Sequence, residues 1–404
     1  MKYKNNQFFF ENLKAINIVK KFGTPVYCYS YNKLKENITY FKKQFQSFKP
    51  LVCFSLKSNS SLSLLREIKK LGLGADVVSI GELMLALKAG INAKKIVFSG
   101  VGKKEEELNY ALEKKILLIN VESESEINHI EKIAKFKNLI VNVGIRLNPN
   151  IDAKTLKKIS TGKRENKFGV EEKVFYKIVD FCKKSKNINL KCLSVHIGSQ
   201  ILTHKPYQKM LNILDNIINK TNYKFDFIDL GGGMGIQYDK KNKKLNYRKY
   251  NLLIKNFLKK HKSKIIFEPG RSIVGNIGVI LTKIIYIKES RNKKFIILDA
   301  GMNDLMRPAL YNAIHKILPS YKNKKKFKKT VEFVGPICET TDTFLTEKNF
   351  QILKENDVMI ICNTGAYGMS LFSNYNMRPK PAELLIKGSK IKILNKRQKL
   401  TKLI

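Results

Sequence analysis

The sequence feature that most constrains the fold is an eightfold alternation of short apolar runs with helix-like stretches. The stretch after the first run, for example, carries Leu62, Leu65 and Ile68 at close to helical spacing. Eight strand-then-helix units over about 220 residues have the size of a parallel (β/α)8 barrel. The predicted strands begin near Leu51, Leu73, Lys95, Leu117, Val141, Leu190, Phe225 and Lys264.

The alternative for such a chain is an open, doubly wound sheet. Its first β-α turn usually carries a Gly-x-Gly-x-x-Gly fingerprint, whereas the first turn here reads Lys57-Ser58-Asn59-Ser60. We therefore predict a TIM-like (β/α)8 barrel over residues 31–274. After Gly275 the runs become strand-like and lose helical periodicity. Residues 1–30 and 275–404 are accordingly assigned to a second, mainly β domain built from both chain ends.

Composition indicates a globular protein in spite of its charge. The 404 residues include 77 basic and 33 acidic side chains, a net charge of +44, and 43% are hydrophobic. Only nine of the basic residues are arginines, and the lysine-rich runs lack interleaved aromatic residues. A coding bias explains this pattern better than a binding surface, so we predict no nucleic-acid partner.

The six cysteines are widely spaced, with no Cys-x-x-Cys pair and no histidine at zinc spacing. We predict neither a metal site nor a disulfide framework, which fits a reducing compartment. No run reaches the roughly 18 uncharged apolar residues that a membrane span requires. The expectation is a cytoplasmic protein without a membrane partner.

Unusual polar residues follow the predicted strands, at the face of a barrel that carries active sites. Lys57 follows an apolar strand, where partial desolvation would make its amine a candidate Schiff-base nucleophile. The plainer alternative is one more surface lysine. His196 and Ser199 follow the sixth strand, although a lone histidine is commonly a packing residue.

The last two predicted strands are followed by glycine-rich and charged segments. Gly231, Gly232 and Gly233 form a candidate phosphate cradle or, alternatively, a tight turn. The eighth strand ends in Glu268-Pro269-Gly270-Arg271. The carboxylate could hold a ring nitrogen protonated and the guanidinium could bind phosphate or carboxylate, while a structural ion pair is the alternative.

Three further segments lie in the second domain: Arg307–Tyr311, Gly335–Glu339 and Gly365–Gly368. Three of the nine arginines lie in or beside the unusual segments of the chain, which favours bidentate recognition of an anion. Cys338 stands in a Gly-Pro loop beside Glu339 and is a candidate proton donor. A free cysteine is more commonly a small buried hydrophobe.

Together these segments resemble the fold-type III pyridoxal-phosphate (PLP) decarboxylases from about Phe8 to Glu383. The family commonly has alanines where Ser55 and Ser58 flank Lys57. The motifs that carry the resemblance are Phe54-Ser55-Leu56-Lys57-Ser58-Asn59, Gly74-Ala75-Asp76-Val77-Val78-Ser79, His196-Ile197-Gly198-Ser199-Gln200, Gly231 to Gly233, Glu268 to Gly278, Arg307 to Tyr311, Cys338-Glu339 and Gly365 to Glu383.

The resemblance implies a PLP cofactor held by Lys57, with His196 stacked on its ring and Glu268 bonded to its pyridine nitrogen. Cys338, supplied by the neighbouring subunit, would protonate the carbanion left by CO₂ loss, which makes the enzyme a homodimer with shared active sites. The other residues that the resemblance assigns to the cofactor are Asp76, Ser199, Gly231, Gly232, Gly233, Pro269, Gly270, Arg271 and Tyr367.

The resemblance also implies a carboxy-lyase that converts meso-2,6-diaminopimelate to L-lysine and CO₂, the last step of lysine biosynthesis. The residues implied in substrate binding are Arg271, Arg307 and Tyr311 for the distal carboxylate, Glu339 for the distal ammonium, and Tyr367. Alternatives are a decarboxylase acting on ornithine or carboxynorspermidine, and a non-catalytic PLP-binding regulatory dimer.

Overall fold

The computed structural model describes residues 1–153, 161–163, 165–238 and 244–404. These residues form two compact units. The barrel unit comprises the described residues from 38 to 236 and from 244 to 272, and the sheet unit comprises residues 1–37, 237–238 and 273–404. The predicted domain limits stay a prediction, because compactness alone does not test whether each part folds independently.

The strands of the described residues, in chain order, are β1 (Lys2–Lys4), β2 (Gln7–Phe10), β3 (Leu13–Lys14), β4 (Val26–Ser30), β5 (Leu51–Ser55), β6 (Gly74–Val77), β7 (Ile96–Phe98), β8 (Leu118–Val121), β9 (Val141–Leu147), β10 (Ile188–Val195), β11 (Phe227–Asp229), β12 (Lys264–Phe267), β13 (Gly278–Glu289), β14 (Lys293–Leu298), β15 (Ile317–Pro319), β16 (Thr330–Val334), β17 (Thr343–Glu347), β18 (Val358–Cys362), β19 (Ala382–Lys387) and β20 (Lys390–Asn395). The α-helices of the same residues are α1 (Ala15–Phe22), α2 (Tyr31–Phe45), α3 (Leu62–Lys70), α4 (Ile80–Lys88), α5 (Glu105–Glu113), α6 (Glu124–Phe136), α7 (Glu172–Lys184), α8 (Lys205–Thr221), α9 (Tyr247–Lys260), α10 (Arg271–Val274) and α11 (Arg307–Tyr311).

The described part of the barrel unit contains a closed sheet of eight parallel strands in the order β10-β11-β12-β5-β6-β7-β8-β9. The last and first strands meet where Ile266 pairs with Leu51. Each predicted strand start lies within two residues of the observed one, so the predicted (β/α)8 barrel is confirmed. Because the strands are parallel, their carboxyl ends all lie on one face of the barrel.

Apolar packing inside the barrel fixes the positions of these strand ends. Burying an aliphatic side chain contributes about 1.5 to 3 kcal/mol, so the polar residues that follow the strands are mounted on a rigid frame. One buried cluster joins five strands through Cys53, Val97, Leu118, Cys192 and Ile266.

The sheet unit is built on a nine-stranded sheet with the main path β17-β16-β14-β13-β4-β19-β20 among the described residues. β18 pairs with both β13 and β15. The N-terminal strand β4 lies between β13 and β19, antiparallel to the first and parallel to the second. The predicted mainly β unit built from both chain ends is therefore confirmed.

The described residues offer neither a membrane-spanning helix nor a cluster of metal-binding side chains. No helix there combines the length and the apolar content that a membrane crossing requires. No group of three or more histidine, cysteine, aspartate or glutamate side chains in that part of the chain is arranged to hold a metal ion.

Candidate active site

Lys57 lies at the carboxyl end of β5, in a short 3-10 turn that spans Leu56–Ser58. Its Nζ is 3.7 Å from Asp76 Oδ2, and its side chain is 40% exposed whereas that of Asp76 is fully buried. Ser55 Oγ donates a 2.7 Å hydrogen bond to the same oxygen. The amine is therefore held beside a buried carboxyl group and stays accessible to a ligand.

Two buried carboxyl groups, Asp229 and Glu268, lie at the ends of the neighbouring strands β11 and β12 and are hydrogen-bonded to each other. Asp229 accepts three further bonds, from Gly231 N at 2.9 Å, Asn120 Nδ2 at 3.1 Å and Ser194 Oγ at 3.2 Å. Burial raises the pKa of both carboxyl groups, and the charge of Asp229 raises that of Glu268 further. Because the three donors favour an ionised Asp229, the shared proton belongs on Glu268.

Glu268 keeps one oxygen available for a ligand. Its Oε1 is buried and has no hydrogen-bond partner within the described part of the chain. An unsatisfied buried acceptor costs about 1 to 3 kcal/mol. A donor such as a ring N–H would satisfy it.

His196 follows β10 with its ring partly buried. Gly232 N donates to its Nδ1 at 3.0 Å, so this nitrogen carries no proton. Burial lowers the pKa of His196 well below its usual value, and the charges of Lys57 and Arg146 lower it further. The imidazole is therefore neutral, as suits a ring that stacks on a planar ligand.

The glycine loop after β11 is shaped by close contacts. The amides of Gly231 and Gly232 donate to Asp229 and His196, so they are engaged within the loop, and a role of the loop in phosphate binding stays a prediction. A Cβ at Gly231 would lie 2.6 Å from His196 Nδ1, and one at Gly232 would lie 2.2 Å from Glu268 O. Gly231 also has a φ of +60°. Glycine is thus required for the loop to pass this close to the His196 ring and to the backbone carbonyl of Glu268.

Arg271, which begins α10, is only 7% exposed. Its Nη2 donates to Ser199 Oγ at 3.0 Å. Gly270 packs closely on the lysine turn, since a Cβ there would lie 2.9 Å from Ser58 Cβ, and Pro269 O accepts a bond from the backbone of β5. A buried guanidinium beside a hydroxyl and a tightly packed backbone suits an anion such as phosphate.

The barrel unit therefore brings together, at the carboxyl ends of its strands, every predicted site residue that belongs to it. These residues are Lys57, Asp76, His196, Ser199, Gly231, Gly232, Gly233, Glu268, Pro269, Gly270 and Arg271.

In the sheet unit, Arg307 begins α11 and is 6% exposed. Its Nη1 donates to Tyr238 OH at 2.9 Å and lies 2.8 Å from His315 Nε2, while His315 Nδ1 lies 2.8 Å from Cys362 O. Because the carbonyl only accepts and the guanidinium only donates, His315 is neutral with its proton on Nδ1. The guanidinium is therefore fixed from two sides. Tyr311 ends the same helix and is partly buried.

The loop between β16 and β17 carries Cys338 and Glu339, both exposed. Tyr375 OH donates to Glu339 Oε1 at 2.5 Å, and this bond raises the pKa of the tyrosine. Cys338 N donates to Asn376 Oδ1 at 3.3 Å. Tyr367 follows β18 with a φ of +56° and a partly buried side chain. These predicted residues lie in loops that follow strands, but Cys338 and Glu339 point toward solvent.

Some buried polar groups of the site did not emerge from sequence reasoning. Besides Asp229, these are Arg146 and Glu122, which form a 2.9 Å ion pair at the ends of β9 and β8. Glu122 also accepts the amides of Gly100 and Gly169, and so joins three loops of the barrel mouth. The available signal was a charged residue inside an apolar strand, which Arg146 provides in β9.

Residues 31–275 match the family of pyridoxal-dependent decarboxylases, through its pyridoxal binding domain. The chain therefore belongs to the pyridoxal-dependent decarboxylases. Within this class it is similar to enzymes named diaminopimelate decarboxylase. It is 38% identical to that of Aquifex aeolicus over 98% of this chain and 95% of the relative. It is 43% identical to that of Helicobacter pylori strain J99 over 95% of each chain.

Solved structures agree with these relatives. The diaminopimelate decarboxylase of Helicobacter pylori complexed with L-lysine has a TM-score of 0.90 and 41% identity, over 96% of this chain and 98% of that one. The diaminopimelate decarboxylase of M. jannaschii, in co-complex with L-lysine, has a TM-score of 0.93 and 34% identity, over 100% of this chain and 96% of that one.

The barrel mouth fits pyridoxal phosphate, the cofactor of this class. Lys57 presents an accessible amine, and the unpartnered oxygen of Glu268 is suited to a ring N–H. Arg271 and Ser199 supply a buried cation and a hydroxyl for a phosphate group. Three chemically distinct parts of the cofactor therefore have matching groups on one face of the barrel.

Proposed function

We propose that this protein decarboxylates meso-2,6-diaminopimelate to L-lysine and CO₂, the last step of lysine biosynthesis. The observation that carries the proposal is the barrel mouth itself, where an accessible lysine amine and an unpartnered glutamate oxygen lie on the same face. The relatives named diaminopimelate decarboxylase, which match nearly the whole chain, support the choice of substrate.

When bound, pyridoxal phosphate supplies an electron sink for the charge left by departing CO₂. Lys57 Nζ would attach the cofactor, and Asp76 would keep this amine in place. Glu268 would hold a proton at the ring nitrogen through Oε1, because its partner Asp229 keeps the pair supplied with one proton. His196, neutral and fixed by Gly232, would pack on the ring face.

The substrate has a second carboxylate and a second ammonium group, and the sheet unit offers a match for each. Arg307, buried and fixed by His315 and Tyr238, would bind the distal carboxylate, with Tyr311 and Arg271 as further partners. The Glu339 carboxylate would bind the distal ammonium, and Tyr367 would line the same site. An arginine fixed in advance loses little entropy on binding, which favours it for this role.

A homodimer completes the proposal. The exposed position of Cys338 fits a residue that one protomer contributes to the site of its partner, where it would donate a proton to the substrate carbon. A cytoplasmic location is part of the same proposal, supported by six cysteines that are all free thiols in the described chain.

The function is tested by measuring CO₂ release from meso-diaminopimelate, ornithine and carboxynorspermidine with purified protein supplied with pyridoxal phosphate. Release from diaminopimelate with L-lysine as product is expected. A preference for ornithine would overturn the assignment of the distal carboxylate site. No release from any of them by a coloured, cofactor-loaded protein would favour a regulatory dimer.

Cys338→Ala is expected to lower kcat by about 10²-fold with little change in cofactor affinity, since general acid catalysis contributes factors of this size. The readouts are steady-state CO₂ release and the absorbance of the bound cofactor across a cofactor titration. Cys182→Ala, which removes a thiol of α7 whose pKa burial raises to about 12, is the matched control and should retain activity. Parallel losses of cofactor binding and turnover in Cys338→Ala would instead indicate a structural role.

A further inference from the structure

Asp342 closes the base of the loop that carries Cys338 and Glu339. Gly335 N donates to Asp342 O at 2.9 Å, next to the point where Val334 and Thr343 pair across the hairpin of β16 and β17. Although the tip of this loop is exposed, Asp342 is only 3% exposed. Its side chain is thus buried behind the loop.

The Asp342 carboxylate joins two separate segments of the sheet unit. Its Oδ2 accepts a 2.8 Å bond from Ile337 N, one residue before Cys338. Its Oδ1 accepts a 2.6 Å bond from Met302 N, in the segment that leads into Arg307. Amide bonds to an ionised carboxylate are among the stronger hydrogen bonds in proteins. One side chain thus ties together the two segments to which substrate binding is assigned.

Two glycines make this connection possible. A Cβ at Gly335 would lie 2.2 Å from Asp342 Oδ2. A Cβ at Gly301 would lie 2.9 Å from Ile337 Cγ1 and 3.0 Å from Pro336 Cδ. The close packing of the two segments supports the connection independently of the hydrogen bonds. At Gly335 it leaves the room that the Asp342 side chain needs to reach between them.

The surroundings of Asp342 allow it to change charge near neutrality. Burial raises its pKa to about 6, although the two amides and then the charge of Arg378 lower it. The other charged groups nearby are Asp304, whose pKa burial raises to about 7, and Asp299, which faces Asp304. Glu339 lies three residues away, at the exposed tip of the loop.

The sign of the effect on stability follows from this raised pKa. The folded chain takes up the proton more readily than the unfolded chain, so this group favours folding more as the pH falls through 6. Proton uptake by this group therefore favours the buried arrangement of Asp342 over one in which the loop is released.

We propose that Asp342 is a positioning residue, which holds Cys338 and Glu339 in place against the Arg307 segment through the bonds that its carboxyl group accepts from Ile337 N and Met302 N. The roles of Cys338 and Glu339 rest on the proposed function, whereas the connection between the segments does not.

The test is hydrogen exchange of the cofactor-loaded protein, read on peptides that contain Met302 and Ile337. Asp342→Asn should raise their exchange rates by about tenfold at pH 7.5, the size expected for a lost bond to a charged group. In the wild type, these amides should stay protected between about pH 7.5 and pH 5, after correction for intrinsic exchange, because acid favours the buried carboxyl group. The matched control is Asp357→Asn, because Asp357 Oδ2 accepts a hydrogen bond from Lys354 N in an exposed turn of the same unit. In this control, the exchange rates of the Met302 and Ile337 peptides should equal those of the wild type.

The wild type, Asp342→Asn and Asp357→Asn are also assayed for cofactor absorbance and CO₂ release. Asp342→Asn should keep the absorbance and lose about tenfold in kcat at neutral pH. Unchanged exchange in Asp342→Asn would overturn the proposal. If Asp342→Asn does not fold, the wild type decides: Met302 and Ile337 amides that exchange as fast as the exposed Lys354 amide would overturn it. If the wild type releases no CO₂, the proposed function fails, and the exchange data still decide the role of Asp342.

Discussion

Replacing Lys57 with alanine is expected to lower CO₂ release by a factor on the order of 10⁴ or more, since losing a residue that forms the covalent link to the reacting group has effects of this size. Lys57 presents an accessible amine beside a buried carboxyl group, at the centre of the predicted cofactor site. The variant should also lack the visible absorbance of the bound cofactor, and borohydride should no longer fix the cofactor to the protein.

Two controls test whether the loss is due to the reactive amine of Lys57, rather than to the loss of its positive charge or to the removal of any lysine from this unit. Lys57→Arg keeps a cation beside Asp76 but cannot attach an aldehyde, so it should be as inactive as Lys57→Ala. Lys42→Ala removes a lysine of the same unit that bonds only to Leu71 O among the described residues, and it should keep both colour and activity. Colour and borohydride fixation that persist in Lys57→Ala would mean that another lysine holds the cofactor.

Glu268→Gln is expected to lower kcat by about 10²- to 10³-fold, the range seen when one group that stabilises developing charge is removed. The glutamine could still bond to Asp229, but it has no proton to give to a ring nitrogen. The cofactor should remain bound, so absorbance is retained while CO₂ release is lost. The two readouts together separate proton supply from binding.

The stability of this variant gives a further check. Because burial raises the pKa of Glu268, the protonated carboxyl group stabilises the folded chain at low pH. This contribution to the free energy of unfolding is lost as the pH rises through the folded-state pKa. An uncharged glutamine removes this dependence, so the Tm of Glu268→Gln should equal or exceed that of the wild type at alkaline pH. Glu131→Gln, at a partly buried carboxyl group that accepts a bond from Ser185 Oγ, is the control for activity. Full activity in Glu268→Gln would remove this residue from the mechanism.

The barrel was predictable because its determinants are local and repeated. Each strand is a short apolar run bounded by turns, and a helix follows each one, so all eight starts could be placed before any long-range contact was known. The sheet unit was less accessible to this reasoning. Its strands were recognisable, but the parallel pairing of β4 with β19 joins opposite ends of the chain, which no local pattern encodes.

The site was predictable where polar residues follow apolar strands at a face known to carry chemistry. Lys57 and Glu268 met that condition. Asp229 was passed over because it reads as the end of a strand before a glycine turn, and only the structure shows that it is bonded to Glu268. Asp342 gave no signal, since its role depends on a fold that places Met302 next to a hairpin loop.

The position of β4 between β13 and β19 has a consequence for synthesis on the ribosome. The barrel strands from Leu51 to Phe267 can pair before the last third of the chain emerges, whereas one edge of β4 has no neighbour until Ala382–Lys387 is made. A nascent or truncated chain that stops earlier would present an open strand edge, the kind of surface through which chains aggregate. Synthesis of β19, rather than barrel closure, is thus the step that protects this strand.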